Sequence, residues 1–415
     1  MALNNGDREK DEGVAAWPAI IQSALERQIE TDSLRRRRAV RILDATHAEI
    51  DGRRLTNFSS NNYLGLTHHP RVIDAFSRAA QSHGVGSGAA ALISGYSTVH
   101  ASAERAIARW KKTESAILLA SGYTANLAAV QTLAALGSET AGGVRFLLDK
   151  LAHASLIDAV RAVARPHGNI TYRIFPHNHI AKLGRLLEEA PADQLQVVVT
   201  ESVFSMDGDA ADLGTLAELK KRHRFLLLLD EAHATGVYGP AGAGYAAERG
   251  FDSLADVSVL TLSKAIGVSG GAVCASNAFC QAVVNFGRAF IYSTNIPPAV
   301  AAAVEASIQV MHDEPHRQQR LRQIATAARQ KLTAAGATLP EGEAAILPIL
   351  VGDAAAALNA AKELENAGYL VLAIRPPTVP PGTSRLRLTL SSEHTDEEIA
   401  GVVAAIEKIT STRPV

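Results

Sequence analysis

The chain predicts an α/β fold: a mostly parallel central sheet, a smaller C-terminal α+β unit and an N-terminal arm. Three observations carry that prediction. Short apolar runs alternate with helical segments between residues 116 and 276, as in a parallel sheet covered on both faces. Polar residues gather where those runs end, and ligands of such sheets bind beyond the carboxyl ends of the strands. After about residue 300 the alternation gives way to long helices and a few strands in roughly a hundred residues.

Taken in order, residues 1–13 (MALNNGDREKDEG) show no periodicity and read as a disordered leader. From Trp17 to about Arg41, Ile20, Ile21, Ala24, Leu25, Ile29 and Leu34 recur at helical spacing, so one amphipathic helix is expected. HAEIDGRRLTNFSS follows as a hairpin turning at Asp51-Gly52. AILLAS (116–121), RFLLDK (145–150), TYRIF (171–175), QVVVTES (196–202), FLLLLDEA (225–232), VSVLTLS (257–263) and GAVCAS (271–276) read as strands, with helices in several of the intervals. Residues 300–336 read as one or two helices broken near Pro315. AAILPILVG, YLVLAIRPP and RLRLTL then read as strands, with helices around residues 354–368 and 395–409. RPPTVPPGTS (375–384) is a Pro-rich loop between two strands. The expected division is an arm over 1–62, a large unit over 63–305 and a small one over 306–415.

Composition narrows the function. The 415 residues carry 41 Lys and Arg against 42 Asp and Glu, a net charge of −1, which excludes a bulk polyanion binder. Cys274 and Cys280 are too few for a disulfide framework or a four-ligand zinc site. No apolar run approaches the ~20 residues that span a bilayer. A cytoplasmic globular protein is expected.

The sharpest chemical feature is VSVLTLSKAIGVSGG. Lysines are ordinarily solvated surface charges, but Lys264 follows an apolar strand and precedes a Gly-rich run. Partial desolvation lowers an amine's pKa and makes it a nucleophile toward carbonyl compounds. Asp230 ends the most apolar strand of the chain; it reads either as a helix cap or as the carboxylate that pairs with a pyridinium nitrogen. Together with Lys264 it fits pyridoxal 5'-phosphate. His233, three residues on, can donate to that cofactor's phenolic oxygen. In LLASGYTANLAAV a strand, a Ser-Gly-Tyr turn and an immediate helix offer free N–H groups at Gly122 and Tyr123 to a phosphate. GVGSGAAALISGY (84–96) matches no nucleotide motif and reads as a loop, either bent near a site or plainly superficial.

Two other patterns compete with this chemistry. Gly267-Val268-Ser269-Gly270-Gly271 fits the nucleophile-elbow string, with Asp353 and His394 downstream, but a strand rather than a helix is expected after it. LRRRRAVR (34–41) is basic, yet its charges spread around a helix and no aromatic residues interleave.

With these residues in view, the chain resembles the α-oxoamine synthase family of fold-type I (aspartate-aminotransferase-like) pyridoxal-phosphate enzymes. SNNYLGLTHHPRV, GVGSGAAALISGYSTVH, DKLAHASLIDA, VVVTESVFSMDGD, LLDEAHATGVYG, TLSKAIGVSGGAV, IYSTNIPPA and AIRPPTVPPGTSRLRLTL carry the resemblance in order, from about Leu34 to the last helix. Ala234 and Ile266 depart from residues usual in the family. The last block favours the branch that condenses L-alanine with a pimeloyl thioester, on CoA or an acyl-carrier protein, in biotin synthesis. Glycine C-acetyltransferases and longer-chain acyl synthases are the alternatives. The resemblance implies that Lys264 holds the cofactor and is the acid–base group, that Asp230 pairs with the ring nitrogen and that His153 stacks on the ring. Gly122, Tyr123, Ser205, His233 and Thr261 would contact cofactor oxygens. Arg35, Asn61, His153, Arg375, Thr378 and Arg387 would line the substrate, Arg387 meeting the amino-acid carboxylate. A homodimer is implied, with Ser293 and Thr294 reaching the neighbouring subunit's phosphate.

Overall fold

The structure is a computed structural model that describes residues 16–164 and 168–411; the expected leader lies outside them. The first helix, Trp17–Glu30, stops well short of Arg41. Asp32 takes a left-handed backbone (φ 51°), and continuing the helix would stack the like charges of Arg35 to Arg38 on neighbouring turns. The chain instead runs on to strand β1 (Arg41–Ile42), then β2 (His47–Ile50) and β3 (Arg53–Asn57). Asp51 and Gly52 both have positive φ at the turn between β2 and β3, the geometry that matches strand twist in a two-residue hairpin.

The central sheet takes β4 (Ser115–Leu119), β5 (Val144–Asp149), β6 (Ile170–Phe175), β7 (Leu195–Glu201), β8 (Leu226–Asp230), β9 (Val257–Thr261) and β10 (Gly271–Ala275). Their order is β4-β10-β9-β8-β7-β5-β6, and only β10 runs antiparallel to its neighbours. Leu227, Leu228 and Leu229 are each fully buried, because helices cover both faces and leave no solvent side to alternate toward. The parallel register sets Glu201 beside Asp230, so carboxylates that end successive strands share one rim.

In the C-terminal part, helices Pro298–Asp313 and His316–Ala334 break at the expected proline. Strands β11 (Ile346–Gly352), β12 (Tyr369–Leu370), β13 (Leu372–Ile374) and β14 (Ser384–Thr389) follow. YLVLAIRPP is therefore not one strand. β12 pairs in parallel with β3 of the arm, whereas β13 joins β14 and β11 in a separate sheet. Val371, between them, is buried, so the chain passes from one sheet to the other through the core. A single apolar cluster runs from Phe58 through Leu260 and Val304 to Ile406, so the core is continuous across residue 305.

Beneath the sheet rim Lys111 binds the Glu231 carboxylate and the Ala243 carbonyl, and Ala246 N–H donates to the other Glu231 oxygen (3.0 Å). Both charged side chains are almost fully buried. Removing one partner of such a pair strands a buried charge at a cost of about 3–5 kcal/mol. Lys111→Met should therefore lower the apo protein's melting temperature sharply, while Lys111→Met with Glu231→Leu should recover part of the loss in calorimetry.

Candidate active site

The carboxyl ends of β5, β7, β8 and β9 form one floor. Asp230, the last residue of β8, is buried; its Oδ1 accepts from Ala232 N–H (2.9 Å) and its Oδ2 from Asn126 Nδ2 (2.7 Å). The same Asn126 amide donates to Ser155 Oγ (2.9 Å), and Ser155 Oγ lies 2.7 Å from His153 Nδ1. Ser155 N–H also points at that nitrogen (3.2 Å). Nδ1 therefore accepts, and the ring proton sits on Nε2. Burial lowers the His153 pKa, so the ring is neutral and held by a relay that begins at Asp230.

Lys264 lies in the turn after β9. Its Nζ is 3.0 Å from His233 Nε2, and His233 Nδ1 is 2.7 Å from the Tyr63 hydroxyl. Burial pulls the Lys264 amine below its ordinary value, against the opposing pull of Asp230 and Glu201. Burial, with Lys264 and Arg387 adding to it, drives His233 well below the usual imidazole range, so His233 is neutral and accepts from the lysine. The lysine turn is braced from below. Gly267 has φ +73°, and a Cβ there would press on Thr67 N at 2.6 Å.

At the start of helix Gly122–Ser138, Ser121 Oγ accepts from Thr124 N–H (3.1 Å) while Thr124 Oγ1 accepts from Ser121 N–H (2.9 Å). This capping takes up the Thr124 N–H and leaves those of Gly122 and Tyr123 to face an anion. A Cβ on Gly122 would collide with Thr261 Oγ1, so helix start and strand end close on one another only because residue 122 is glycine. Tyr123 is half exposed, and its hydroxyl meets Asp158 (3.2 Å).

Arg387, on β14, reaches the rim from the C-terminal part. Its Nε donates to the Ser205 carbonyl (2.9 Å), and both terminal nitrogens approach Asn61 Oδ1 (3.2 and 3.3 Å). The partners are all uncharged oxygens, so a buried guanidinium is left with its charge uncompensated by these contacts. Arg35, Arg375 and Thr378 form a separate outer group. Arg35 donates to Thr378 Oγ1 (3.3 Å), while Arg375 binds the carbonyls of Asp32 and Leu34. Thr378, His153, Ser205, Ile157, Met206 and Val379 line one cavity of about 750 Å³ between the inner and outer groups.

Ser293 and Thr294 stand apart from the lysine. Thr294 pairs with Ala90 in an isolated bridge, and Ser87 Oγ donates to the Asn295 carbonyl (2.7 Å). The glycine-rich loop thus packs on this segment, with Gly84 and Gly88 at positive φ. The hydrolase pattern dissolves: Ser269 leads into β10, Asp353 caps helix Ala354–Asn366, and His394 is buried against Phe58 at 4.2 Å. The basic cluster is likewise tied down in part, with Arg38 bound to Asp51 and Glu365.

Sequence reading passed over Asn126, Ser155, Tyr63 and Glu201. Glu201 was visible as a polar residue at a strand end but had no assigned work. It is buried, receives the His153 backbone N–H and has one oxygen with no partner. Burial and then the neighbouring Asp230 hold its pKa well above the carboxylate range. Asn126 was hidden because an amide inside an apolar helix looks like any tolerated polar residue.

Against known proteins, a family profile described as Aminotransferase class I and II matches residues 53–406. The chain is 40% identical over 390 residues to 8-amino-7-oxononanoate synthase of Cronobacter sakazakii (strain ATCC BAA-894), covering 94% of this chain and 98% of that one. It is 40% identical over 381 residues to the protein of the same name from Salmonella paratyphi C (strain RKS4594), covering 91% and 95%. Among solved structures, a variant of serine palmitoyltransferase from S. paucimobilis with bound PLP-myriocin superposes with TM-score 0.86 at 29% identity, over 94% of this chain and 97% of that one. An 8-amino-7-oxononanoate synthase from Francisella tularensis superposes with TM-score 0.74 at 25% identity, over 87% and 99%. The fold is that of the fold-type I transferases. With its lysine and aspartate on adjacent strand ends, the chain belongs to the aminotransferase class I and II family.

Proposed function

We propose that this chain is a pyridoxal-phosphate-dependent acyltransferase that joins L-alanine to a pimeloyl thioester, releasing CO2 and the free thiol and forming 8-amino-7-oxononanoate for biotin synthesis. The observation that carries the reading is the desolvated Lys264 amine beside the buried Asp230 carboxylate, with neutral His153 tied to the same aspartate. The names of the relatives support it, and so does the collinear block around Arg387.

The residues fit pyridoxal phosphate. A cradle that any Cβ at residue 122 would fill faces the helix N-terminus, and the Asp230 carboxylate at the end of β8 would pair with a protonated ring nitrogen. When bound, that cofactor supplies a carbonyl that condenses with amines and a ring that accepts electrons from the substrate Cα. Lys264, depressed in pKa, gives up its proton readily and so serves first as nucleophile and then as base at Cα. Asp230, oriented by hydrogen bonds from Ala232 N–H and Asn126, would pair with the ring nitrogen and hold a proton there. His153 supplies a flat neutral face and fixes ring orientation, a positioning effect. Arg387 takes the alanine carboxylate, since its planar fork matches a carboxylate and no acid among the described residues pairs with it. After CO2 leaves, Lys264 Nζ returns a proton to the same carbon. Gly122, Tyr123, Thr261, Ser205 and His233 complete the cofactor's surroundings in this reading. Thr378 lines the substrate cavity; Arg375, Arg35 (bonded to Thr378) and Asn61 (bonded to Arg387) also serve the substrate in this reading.

We read the assembly as a homodimer. Val85 (89% exposed), Ile93 (81%) and Tyr292 (73%) crowd the face that carries Ser293 and Thr294, and apolar surface gathered like this marks an interface. The two buried free thiols, Cys274 and Cys280, suit a reducing, cytoplasmic setting.

Borohydride treatment of protein loaded with pyridoxal phosphate should fix cofactor to the Lys264 peptide, and Lys264→Ala should abolish fixation without lowering the apo melting temperature. Fixation elsewhere, or none, overturns the cofactor assignment. In steady-state assays of alanine, glycine and serine against acetyl, pimeloyl and palmitoyl thioesters, alanine with pimeloyl should give the highest kcat/KM. A preference for glycine with acetyl would move the chain to another branch. Sedimentation should show a dimer that Ile93→Asp with Tyr292→Asp weakens by about tenfold or more, as for loss of anchors at an interface centre.

A further inference from the structure

His177, in the loop after β6, lies outside the catalytic set, yet it touches both walls of the cleft. Its Nδ1 is 2.9 Å from Asp149 Oδ1 and its Nε2 is 2.7 Å from Asp209 Oδ2. With carboxylates on both sides both ring nitrogens donate, so the ring is an imidazolium. Asp149 ends β5 and is 1% exposed; its oxygens also accept from Leu151 N–H (2.8 Å) and Asn178 N–H (2.9 Å). It therefore shapes the turn that delivers His153. Asp209 closes the loop that carries Ser205: Phe204 N–H donates to the Asp209 carbonyl and Gly208 N–H to the Phe204 carbonyl. Asn178, with left-handed backbone at φ 51°, faces the same two acids, its backbone N–H donating to Asp149 Oδ2 and its amide to Asp209 Oδ2 (3.0 Å). The Phe204 ring meets His177 edge-on at 4.4 Å.

The Ser205 loop is in turn the seat of the substrate arginine. Arg387 donates to the Ser205 carbonyl, and Arg385 pairs with Asp207 (2.6 Å). One contact chain thus runs from the His153 turn through His177 to the loop on which Arg387 rests.

We propose that His177 is a positioning residue, a charged strut that holds the His153 turn and the Ser205–Asp209 loop at the separation the cofactor and the amino-acid carboxylate need. The proposal rests on the functional reading of His153, Ser205 and Arg387 given above. Burial works against the charge, yet the hydrogen bonds to Asp149 and Asp209 raise the pKa to about 10. The other titratable groups lining the cleft beside His177 include Asp207, Glu341 and Glu343, acids that favour the same charge. A folded-state pKa above the ordinary 6.5 means the strut's stabilisation is complete below pH 6.5. It is lost as pH rises toward 10.

The test compares His177→Gln, Asp209→Asn and the double variant with the parent chain, all as full-length protein. Hydrogen exchange on the apo proteins should show residues 149–156 and 203–210 losing protection together in each single variant. The pyridoxal phosphate Kd and the alanine KM should each rise by about tenfold to a hundredfold, as expected for misplacement near 1 Å, with kcat changing less. The double variant should be no worse than the singles, because they break one unit. The melting-temperature gap between parent and His177→Gln should narrow between pH 6.5 and 10. Loosening of only one segment, additive effects or unchanged Kd and KM would overturn the strut. If the parent chain bound no pyridoxal phosphate, the functional reading would fall, and the exchange and pH data would still decide whether His177 couples the two walls.

Discussion

A single buried carboxylate, Asp230, constrains everything around it. A negative charge taken out of water at the end of a leucine-rich strand is costly unless hydrogen bonds and an opposite charge meet it. Here Asn126 and the Ala232 N–H supply the first requirement, and Lys264 stands by for the second. Roles divide between the two neighbouring strand ends: burial and Asp230 push the Glu201 pKa well above its ordinary value, and Glu201 accepts the His153 backbone N–H. Burial at the same rim depresses the pKa of the Lys264 amine and of His233, and Ser155 holds a neutral His153.

The parallel sheet makes this division possible. Parallel register aligns strand ends, so residues far apart in sequence arrive on one rim with their backbones already fixed. The remaining parts are brought by close approach. Gly122 lets the phosphate-type helix start touch Thr261, and Gly267 lets the lysine turn rest on Leu66 and Thr67. β14 swings Arg387 over the rim from a separate small sheet. The arm is stitched to that region through β3 and β12, so the Arg387 side of the site is built from both ends of the chain. The outer group joins the same two parts of the chain, with Arg35 reaching Thr378 and Arg375 the carbonyls of Asp32 and Leu34.

Much of this was legible beforehand. The strands of the central sheet carry continuous apolar runs, and every one lies within a residue or two of its expected place. The early helix was overread because apolar spacing continued past Glu30 while a left-handed Asp32 and a run of arginines ended it. YLVLAIRPP was overread because an apolar run does not say which sheet each half joins. Lys264, Asp230 and Gly122 announced themselves by contradicting their surroundings: charge after apolar runs, glycine at a helix start.

The sequence by itself determined the α/β class, the order of strands along the chain and the chemistry of the rim, because periodicity and misplaced charge are local properties. Tertiary structure decided which polar residues act on that chemistry. Asn126, Ser155, Glu201 and His177 are ordinary in sequence, and their roles arise from distances across 28 to 104 residues of chain. Hydrogen-bond partners and desolvation depend on three-dimensional neighbours, and no linear pattern records them.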